Sequence, residues 1–224
     1  MNRIYLYGDG IGCVDLVSSM GTDLTIVNAA RVSFNKHKTE LDTQDQRLIR
    51  YLAEHRHTST FEHNVVTFRF TVPLYVRSQH HRHRTWSYNE ISRRYTEEDL
   101  KFYEPVTFRT QHASNRQASN RDEIDPEFEG RTAADHMRAH HASARALYDS
   151  LLASGVCREQ ARGVLPQNLY TSYYGTTNLN NLIRFIDLRL DTGAQWEIQQ
   201  VAKACLTFAG ELWPHAITAA FKED

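Results

Sequence analysis

The sequence predicts one α+β domain over residues 1–224, in which a small antiparallel or mixed sheet packs against several long helices. Residues 65–72 alternate β-branched or aromatic residues with polar ones and end at Pro73, which is typical of a strand. Residues 194–212 predict a helix with an apolar stripe at helical spacing. The stripe consists of Ile198, Val201, Ala202, Cys205 and Leu212. Because no linker-like stretch divides the apolar segments, we expect a single core.

The other elements of the first half follow from similar patterns. Residues 3–8 alternate apolar and polar residues and predict a short strand, and residues 22–34 predict a helix. Residues 43–46 (TQDQ) fit a capping box that begins a helix running to His55. A further helix is predicted from Tyr75, with a loop after Arg84.

The second half contains one long polar stretch between helical patterns. Residues 112–129 predict a mobile loop. Thr132 and Asp135 suit the start of a helix that runs to Gly155, and glycine is common just after the end of a helix. Residues 168–176 predict a second strand, and residues 178–189 predict a helix.

Composition indicates an ordinary soluble protein, with 41% hydrophobic and 24% charged residues. There is neither a signal-peptide pattern nor a run of the about 20 apolar residues that a membrane span needs. The three cysteines, Cys13, Cys157 and Cys205, are odd in number and far apart, so we expect buried core thiols in a reduced, cytoplasmic protein. The net charge of −1 argues against a general nucleic-acid binder.

The most informative segment covers residues 79–95, whose sequence is QHHRHRTWSYNEISRRY. Its four arginines and three histidines surround a single carboxylate, that of Glu90. Guanidinium groups suit the oxygens of a phosphate, and Trp86 and Tyr88 offer flat faces on which a heterocyclic ring can stack. The segment therefore predicts a nucleotide site.

The same segment resembles the signature of the flavin-dependent thymidylate synthases, in which Arg-His-Arg is followed by serine after seven residues. Here Arg82, His83 and Arg84 are followed by Ser92 at that spacing. Residues 30–33 (ARVS), 57–63 (HTSTFEH), 160–166 (QARGVLP) and 188–197 (LRLDTGAQWE) resemble further blocks of that family, in the family's order. Three positions depart from its pattern, since Thr60 replaces a usual proline, and Arg184 and Gly193 replace an asparagine and a histidine of some members.

The resemblance implies reductive C5-methylation of dUMP to dTMP, with methylenetetrahydrofolate as carbon donor and FAD reduced by NADPH as electron donor. It also implies a homotetramer with active sites shared between subunits. The nucleotide would be held by Gln79, Ser92, Arg93, Arg94, Arg162 and Arg189, and Arg189 would also be catalytic, polarising the pyrimidine ring. The flavin would be held by Ser33, His57, Glu62, Arg82, His83, Arg84, Asn89, Glu90, Asn178 and Leu188.

Other interpretations stay open from the residues alone. Arg158 and Arg162 fit two solvated surface arginines, and Arg189 fits a structural salt bridge to Asp187 or Asp191. The histidines match no zinc spacing, so no metal is expected, and Ser92 has no partner fixed by spacing that would make it a nucleophile.

Two other functions are also compatible with the sequence. A related enzyme could apply the same flavin and folate chemistry to another pyrimidine nucleotide such as UMP. From a different class, a non-catalytic nucleic-acid-binding module could use the cationic segment, and its binding would be sensitive to salt.

Overall fold

The computed structural model describes residues 2–95 and 100–221. Residues 1, 96–99 and 222–224 of the predicted range 1–224 lie outside the described residues. The strands are β1 Arg3–Tyr5, β2 Cys13–Met20, β3 Val65–Pro73, β4 Ser87–Glu90, β5 Phe108–Gln111, β6 Ser119–Ile124, β7 Glu127–Phe128, β8 Arg131–Thr132 and β9 Tyr170–Asn178. Five of them form an antiparallel sheet in the order β1-β2-β3-β9-β4, and the short hairpins β5-β6 and β7-β8 stand outside it.

The sheet and the helices together form an α+β arrangement. They are α1 Asp23–Arg31, α2 Thr43–Glu54, α3 Leu74–His80, α4 Ala133–Ala153, α5 Arg158–Ala161, α6 Leu179–Leu190, α7 Trp196–Leu212 and α8 Pro214–Ala220. Short 3-10 turns cover Val32–Phe34, Thr58–Phe61 and Arg162–Val164. Within the described stretches, none of the helices combines the length and the apolar character that crossing a membrane requires.

The centre of the sheet is the pairing of β3 with β9, which runs without a break from Val65 opposite Asn178 to Pro73 opposite Tyr170. Side chains alternate between the two faces of a strand, so the apolar residues of β3 share one face. Val66, Phe68, Phe70 and Val72 on that face are fully buried. The sheet therefore has one face that must be covered by helices.

Helices α6 and α7 contribute the apolar side chains that cover this face. Leu182, Phe185 and Ile186 of α6 are fully buried, and Phe68 of the sheet lies against Phe208 of α7 with 5.7 Å between ring centroids. A second, smaller apolar cluster lies between α4 and the segment after α5. It contains Leu100, Tyr148, Ala161, Leu165 and Leu169.

Most of the predicted elements are confirmed by the structure. The strands predicted at residues 3–8, 65–72 and 168–176 correspond to β1, β3 and β9, and the predicted helices correspond to α1, α2, α3, α4, α6 and α7. The capping box of α2 lies one residue earlier than predicted. Its N-cap is Asp42, which accepts from the amides of Gln44 and Asp45, while the Asp45 carboxylate accepts from the Asp42 amide at 3.0 Å.

Two predicted loops are wrong. After Arg84, Ser87–Glu90 form β4, which pairs with β9 at the sheet edge. Within residues 112–129, Ser119–Ile124 form β6 and Glu127–Phe128 form β7, while 112–118 connect β5 to β6. The β5-β6 hairpin was not predicted because it has no apolar alternation, and polar side chains hold its strands together instead. Arg109 Nε donates to Ser119 Oγ at 3.0 Å, and Asn120 Nδ2 donates to Thr110 Oγ1 at 2.9 Å.

Strand β2 and helix α8 have no counterpart in the sequence prediction. The second half of β2 is exposed and rich in serine, and its register shifts between Leu16 and Ser18, so its pattern is weak. Helix α8 is capped by a residue far away in the sequence. The buried Asp23 carboxylate accepts from the amides of His215 at 2.9 Å and Ala216 at 3.0 Å.

We predict that Asp23→Ala lowers the free energy of unfolding by about 1–2 kcal/mol, because two amides at the start of α8 lose their acceptor. Chemical denaturation of wild type and variant measures the change. Asp23→Asn, which keeps one oxygen acceptor, is expected to lose less stability. Equal stability of wild type and Asp23→Ala would show that the two hydrogen bonds do not anchor α8.

Candidate active site

Arg189, at the end of α6, connects two other residues that the sequence assigns to the site. Its Nε donates to Nε2 of His83 at 3.0 Å, and its Nη2 donates to the carbonyl oxygen of Gln79 at 3.2 Å. Among the described residues it forms no ion pair with Asp187 or Asp191. The structural salt bridge that the sequence left open is therefore not formed, and the guanidinium faces the signature segment instead.

The protonation state of His83 follows from this contact. Burial lowers the pKa of His83 to about 4, and the neighbouring Arg189 cation acts in the same direction. The imidazole is therefore neutral at pH 7. Because Nε2 accepts from Arg189, the ring hydrogen of His83 lies on Nδ1.

The loop that carries His83 is held by Tyr88 and by the buried His80. The hydroxyl of Tyr88 donates to the carbonyl oxygens of His80 at 3.0 Å and His83 at 3.1 Å. The ring of His80 is fully buried against Phe70 and Phe185, and burial keeps its pKa well below the usual value. In the sequence, His80 stands among the cationic residues of the signature segment. Its apolar surroundings appear only in the tertiary structure.

A cavity of about 580 Å³ contains several of the residues predicted to bind the nucleotide. Ser92, Arg93 and Arg162 line it, together with Glu90. Arg162 is exposed, and among the described residues it has no ion-pair partner. Arg77 also lines the cavity but is paired with Glu90, so Ser92, Arg93 and Arg162 are the donors that suit a phosphate.

Glu90 was predicted to contact the flavin but lies in this cavity with the predicted substrate residues. Its Oε1 accepts from Thr171 Oγ1 at 2.6 Å and forms a salt bridge with Arg77 Nε at 3.3 Å. Arg94, predicted for the substrate, lies at the rim, with its Nη2 3.8 Å from the carboxylate of Glu159.

A second, smaller cavity of about 260 Å³ brings together two of the residues predicted for the flavin. His83 and Leu188 line it with Arg184, one of the positions that depart from the family pattern. Arg82 and Arg84 flank His83 and are exposed, and neither has an ion-pair partner within the part of the chain that is described. Unpaired arginines beside an apolar side chain suit a pyrophosphate that is linked to a ring system.

The remaining predicted flavin residues line neither of these two cavities. Glu62 accepts from Asn180 Nδ2 at 3.0 Å, and Asn178 caps α6 by accepting from the Asn181 amide at 2.9 Å. Three others are distributed over the surface of the single chain, namely Ser33 after α1, His57 before a 3-10 turn and Asn89 on β4.

Three residues with close contacts to the site were not predicted as site residues, although Gln195 was among the matches that supported a flavin site. Gln79 Nε2 donates to Gln195 Oε1, and Gln195 Nε2 donates to Oε2 of the buried Glu197 at 2.8 Å. Arg109 Nη2 lies 2.9 Å and 3.0 Å from the two carboxylate oxygens of Glu197. For Gln195 and Glu197, the only indication in the sequence was that they lie in residues 188–197, which resemble a block of the family.

The three cysteines have different surroundings. Cys13 and Cys205 are buried as predicted, and burial raises the pKa of each thiol. The prediction is wrong for Cys157, which is exposed because it precedes the short surface helix α5. Among the described residues, no group of three or more histidine, cysteine or acidic side chains is placed to bind a metal ion.

Comparison with known proteins identifies the family. The family described as "Thymidylate synthase complementing protein" matches residues 15–215. The flavin-dependent thymidylate synthase of Thermus thermophilus is 46% identical over 212 residues, which cover 95% of this chain and 76% of the relative. That of Thermotoga neapolitana is 41% identical over 211 residues, which cover 94% and 91% of the two chains.

Solved structures agree with these relatives. The UMP/dUMP methylase PolB from Streptomyces cacaoi bound with 5-Br dUMP has a TM-score of 0.79 and 34% identity, with 96% of each chain covered. The same methylase bound with 5-Br UMP has a TM-score of 0.76, with 92% of each chain covered. By sequence and by fold, this chain belongs to the family of flavin-dependent thymidylate synthases.

Proposed function

We propose that this enzyme methylates dUMP at C5 to give dTMP, with methylenetetrahydrofolate as carbon donor and NADPH as the source of electrons. The contact of Arg189 with His83 and Gln79 carries this proposal. It joins the predicted catalytic residue to His83, which is predicted to bind the flavin, and to Gln79, which is predicted to bind the nucleotide. Since the family is one of enzymes, a non-catalytic nucleic-acid-binding module is no longer a candidate.

The phosphate of the nucleotide would be held by Ser92, Arg93, Arg94 and Arg162, and Gln79 would bind the same nucleotide. Ser92, Arg93 and Arg162 line the larger cavity, where guanidinium groups can donate to phosphate oxygens in pairs. Glu90 lies in the same cavity and is already bound to Arg77 and Thr171. Because its negative charge is paired with Arg77, Glu90 would oppose phosphate binding less than a free carboxylate would.

Arg189 would polarise the pyrimidine ring. Its Nε and Nη2 are engaged by His83 and Gln79, and its Nη1 has no partner among the described residues. Nη1 can therefore donate to a carbonyl oxygen of the ring. A cation fixed in this way stabilises negative charge that develops on the ring as C5 becomes nucleophilic.

The residues around the smaller cavity fit a flavin dinucleotide. Arg82 and Arg84 would meet its pyrophosphate, and Leu188, a residue that is 56% exposed, would pack against its rings. When bound, FAD supplies the electrons that convert the transferred one-carbon unit to a methyl group. The neutral His83 can donate from Nδ1 while Nε2 holds Arg189.

We also propose a homotetramer with shared active sites. Ser33, His57 and Asn89 lie apart from the two cavities in one chain, so a neighbouring subunit would bring them to a complete flavin site. The surface beside Ser33 supports an interface, because Val32 and Phe34 are 73% and 74% exposed.

A second candidate substrate is UMP. One protein whose solved structures resemble this chain is a UMP/dUMP methylase, and its structures were obtained with brominated forms of both nucleotides.

We predict that the purified protein binds FAD and forms dTMP from dUMP in the presence of methylenetetrahydrofolate and NADPH. Absorbance titration measures flavin binding, chromatography of the products measures methylation, and light scattering measures the mass of the assembly. UMP in place of dUMP tests the second substrate. Failure to bind FAD at micromolar protein concentration would contradict the proposed function.

We predict that Arg189→Lys lowers kcat on the order of 10²-fold, because an ammonium group cannot replace the guanidinium fork and its preorganised donor. Flavin affinity should change much less than kcat. Arg3→Lys is the matched control, since Arg3 forms an exposed ion pair with Asp15. Normal turnover by Arg189→Lys would show that Arg189 has a structural role only.

We predict that no cysteine takes part in the chemistry. Cys13 and Cys205 are buried with raised pKa values, and the exposed Cys157 lies 3.6 Å from Gln160 Oε1. The Cys13→Ala, Cys157→Ala, Cys205→Ala triple variant should keep dTMP formation once its fold and flavin content are shown to be intact. Loss of activity that is traced to Cys157→Ala alone would indicate nucleophilic catalysis by a thiolate.

A further inference from the structure

The buried carboxylate of Glu197 lies at the start of α7 and is only 3% exposed. Arg109 of strand β5 pairs with both of its oxygens, at 2.9 Å and 3.0 Å, and the hydroxyl of Tyr103 lies 3.4 Å from Oε1. A buried carboxylate needs such partners, because burying an unpaired charge is costly. Arg109 thus connects the polar hairpin to the interior of the domain.

The charge of Glu197 determines how two side-chain amides are oriented. An ionised carboxylate can only accept hydrogen bonds, so Gln195 must turn its Nε2 toward Glu197, and the distance of 2.8 Å fits that contact. The Oε1 of Gln195 then faces Gln79. Gln79 must in turn donate with Nε2 to this oxygen.

The amide of Gln79 is therefore fixed with its Oε1 directed away from Gln195. Among the described residues, Oε1 of Gln79 has no hydrogen-bond donor. The backbone of Gln79 is held in place as well, because its carbonyl oxygen accepts from Arg189 at 3.2 Å. The side chain consequently offers one acceptor at a defined position beside the predicted catalytic arginine.

We propose that Glu197, held by Arg109, is a positioning residue that acts through Gln195 to fix the amide of Gln79 as an acceptor toward the nucleotide. The inference rests on the proposed function. The acceptor fits a donor of the substrate, either the ring N–H of the pyrimidine or a sugar hydroxyl. It does not fit a fully ionised phosphate, whose oxygens only accept hydrogen bonds.

Glu197→Gln tests this role, because an amide at position 197 no longer imposes one orientation on Gln195. We expect the KM for dUMP to rise about tenfold, the loss associated with one hydrogen bond, while kcat changes less than about threefold. Asp23→Asn is the matched control, since Asp23 is equally buried at 3% exposure and caps α8. It should lower stability without changing KM.

Exchange of the two residues separates positioning from simple anchoring. In the Gln195→Glu, Glu197→Gln double variant, the carboxylate at position 195 accepts from both neighbouring amides and again orients Gln79. We expect KM to return to within about threefold of wild type. If Glu197 only anchors the hairpin through Arg109, the exchange leaves KM as high as in Glu197→Gln, and the inference is wrong.

Gln195→Leu provides an independent measurement if the Glu197 variants fold poorly. It interrupts the relay but keeps the ion pair of Arg109 with Glu197, so the same rise in KM is expected. If the wild type is active and the KM of Gln195→Leu for dUMP equals that of the wild type, the inference is wrong and the proposed function stands. A wild type that neither binds dUMP by calorimetry nor methylates it would overturn both.

Discussion

The unbroken pairing of β3 with β9 is the constraint on which the rest of the structure depends. Its register sets Pro73 opposite Tyr170 at one end of the sheet and Val65 opposite Asn178 at the other. Helix α3 begins at the first end and α6 at the second. The 12 residues of α6 span about 18 Å, which lets the helix return along the sheet and bring Arg189 to Gln79.

Burial of one face of β3 supplies the driving force for this arrangement. Four fully buried side chains on that face have to be covered, and Phe185 of α6 contributes both to the cover and to the site. It lies against the rings of His80 and His83, with centroids 4.6 Å and 4.9 Å away. The packing that stabilises the core therefore also positions the histidine that binds Arg189.

Electrostatics inside the site depend on the same burial. The apolar surroundings that hold His83 also keep it neutral, so it can accept from the Arg189 cation without repelling it. Glu197 is the opposite case, because a buried charge is retained and neutralised by Arg109. His83 is thus a neutral hydrogen-bond acceptor, and Glu197 is part of an ion pair. Both limit the orientations that the side chains around Gln79 can adopt.

The sequence by itself determined the elements with strong periodicity and the chemistry of the signature segment. Strand β3 and helices α4, α6 and α7 follow from apolar alternation or stripes, and Arg82, His83 and Ser92 stand out by residue type and spacing. The hairpin β5-β6 and strand β4 could not be predicted, because polar contacts and a partner strand hold them rather than their own apolar pattern.

Only the tertiary structure decided which residues meet. Arg189 and His83 are 106 positions apart, and Arg109 and Glu197 are 88 apart. From the residues alone, the favoured interpretation was that Arg189 pairs with its neighbours Asp187 or Asp191. Polar contacts between distant residues leave no periodic trace along a chain, so the partner of a charged side chain is fixed only when the core brings their elements together.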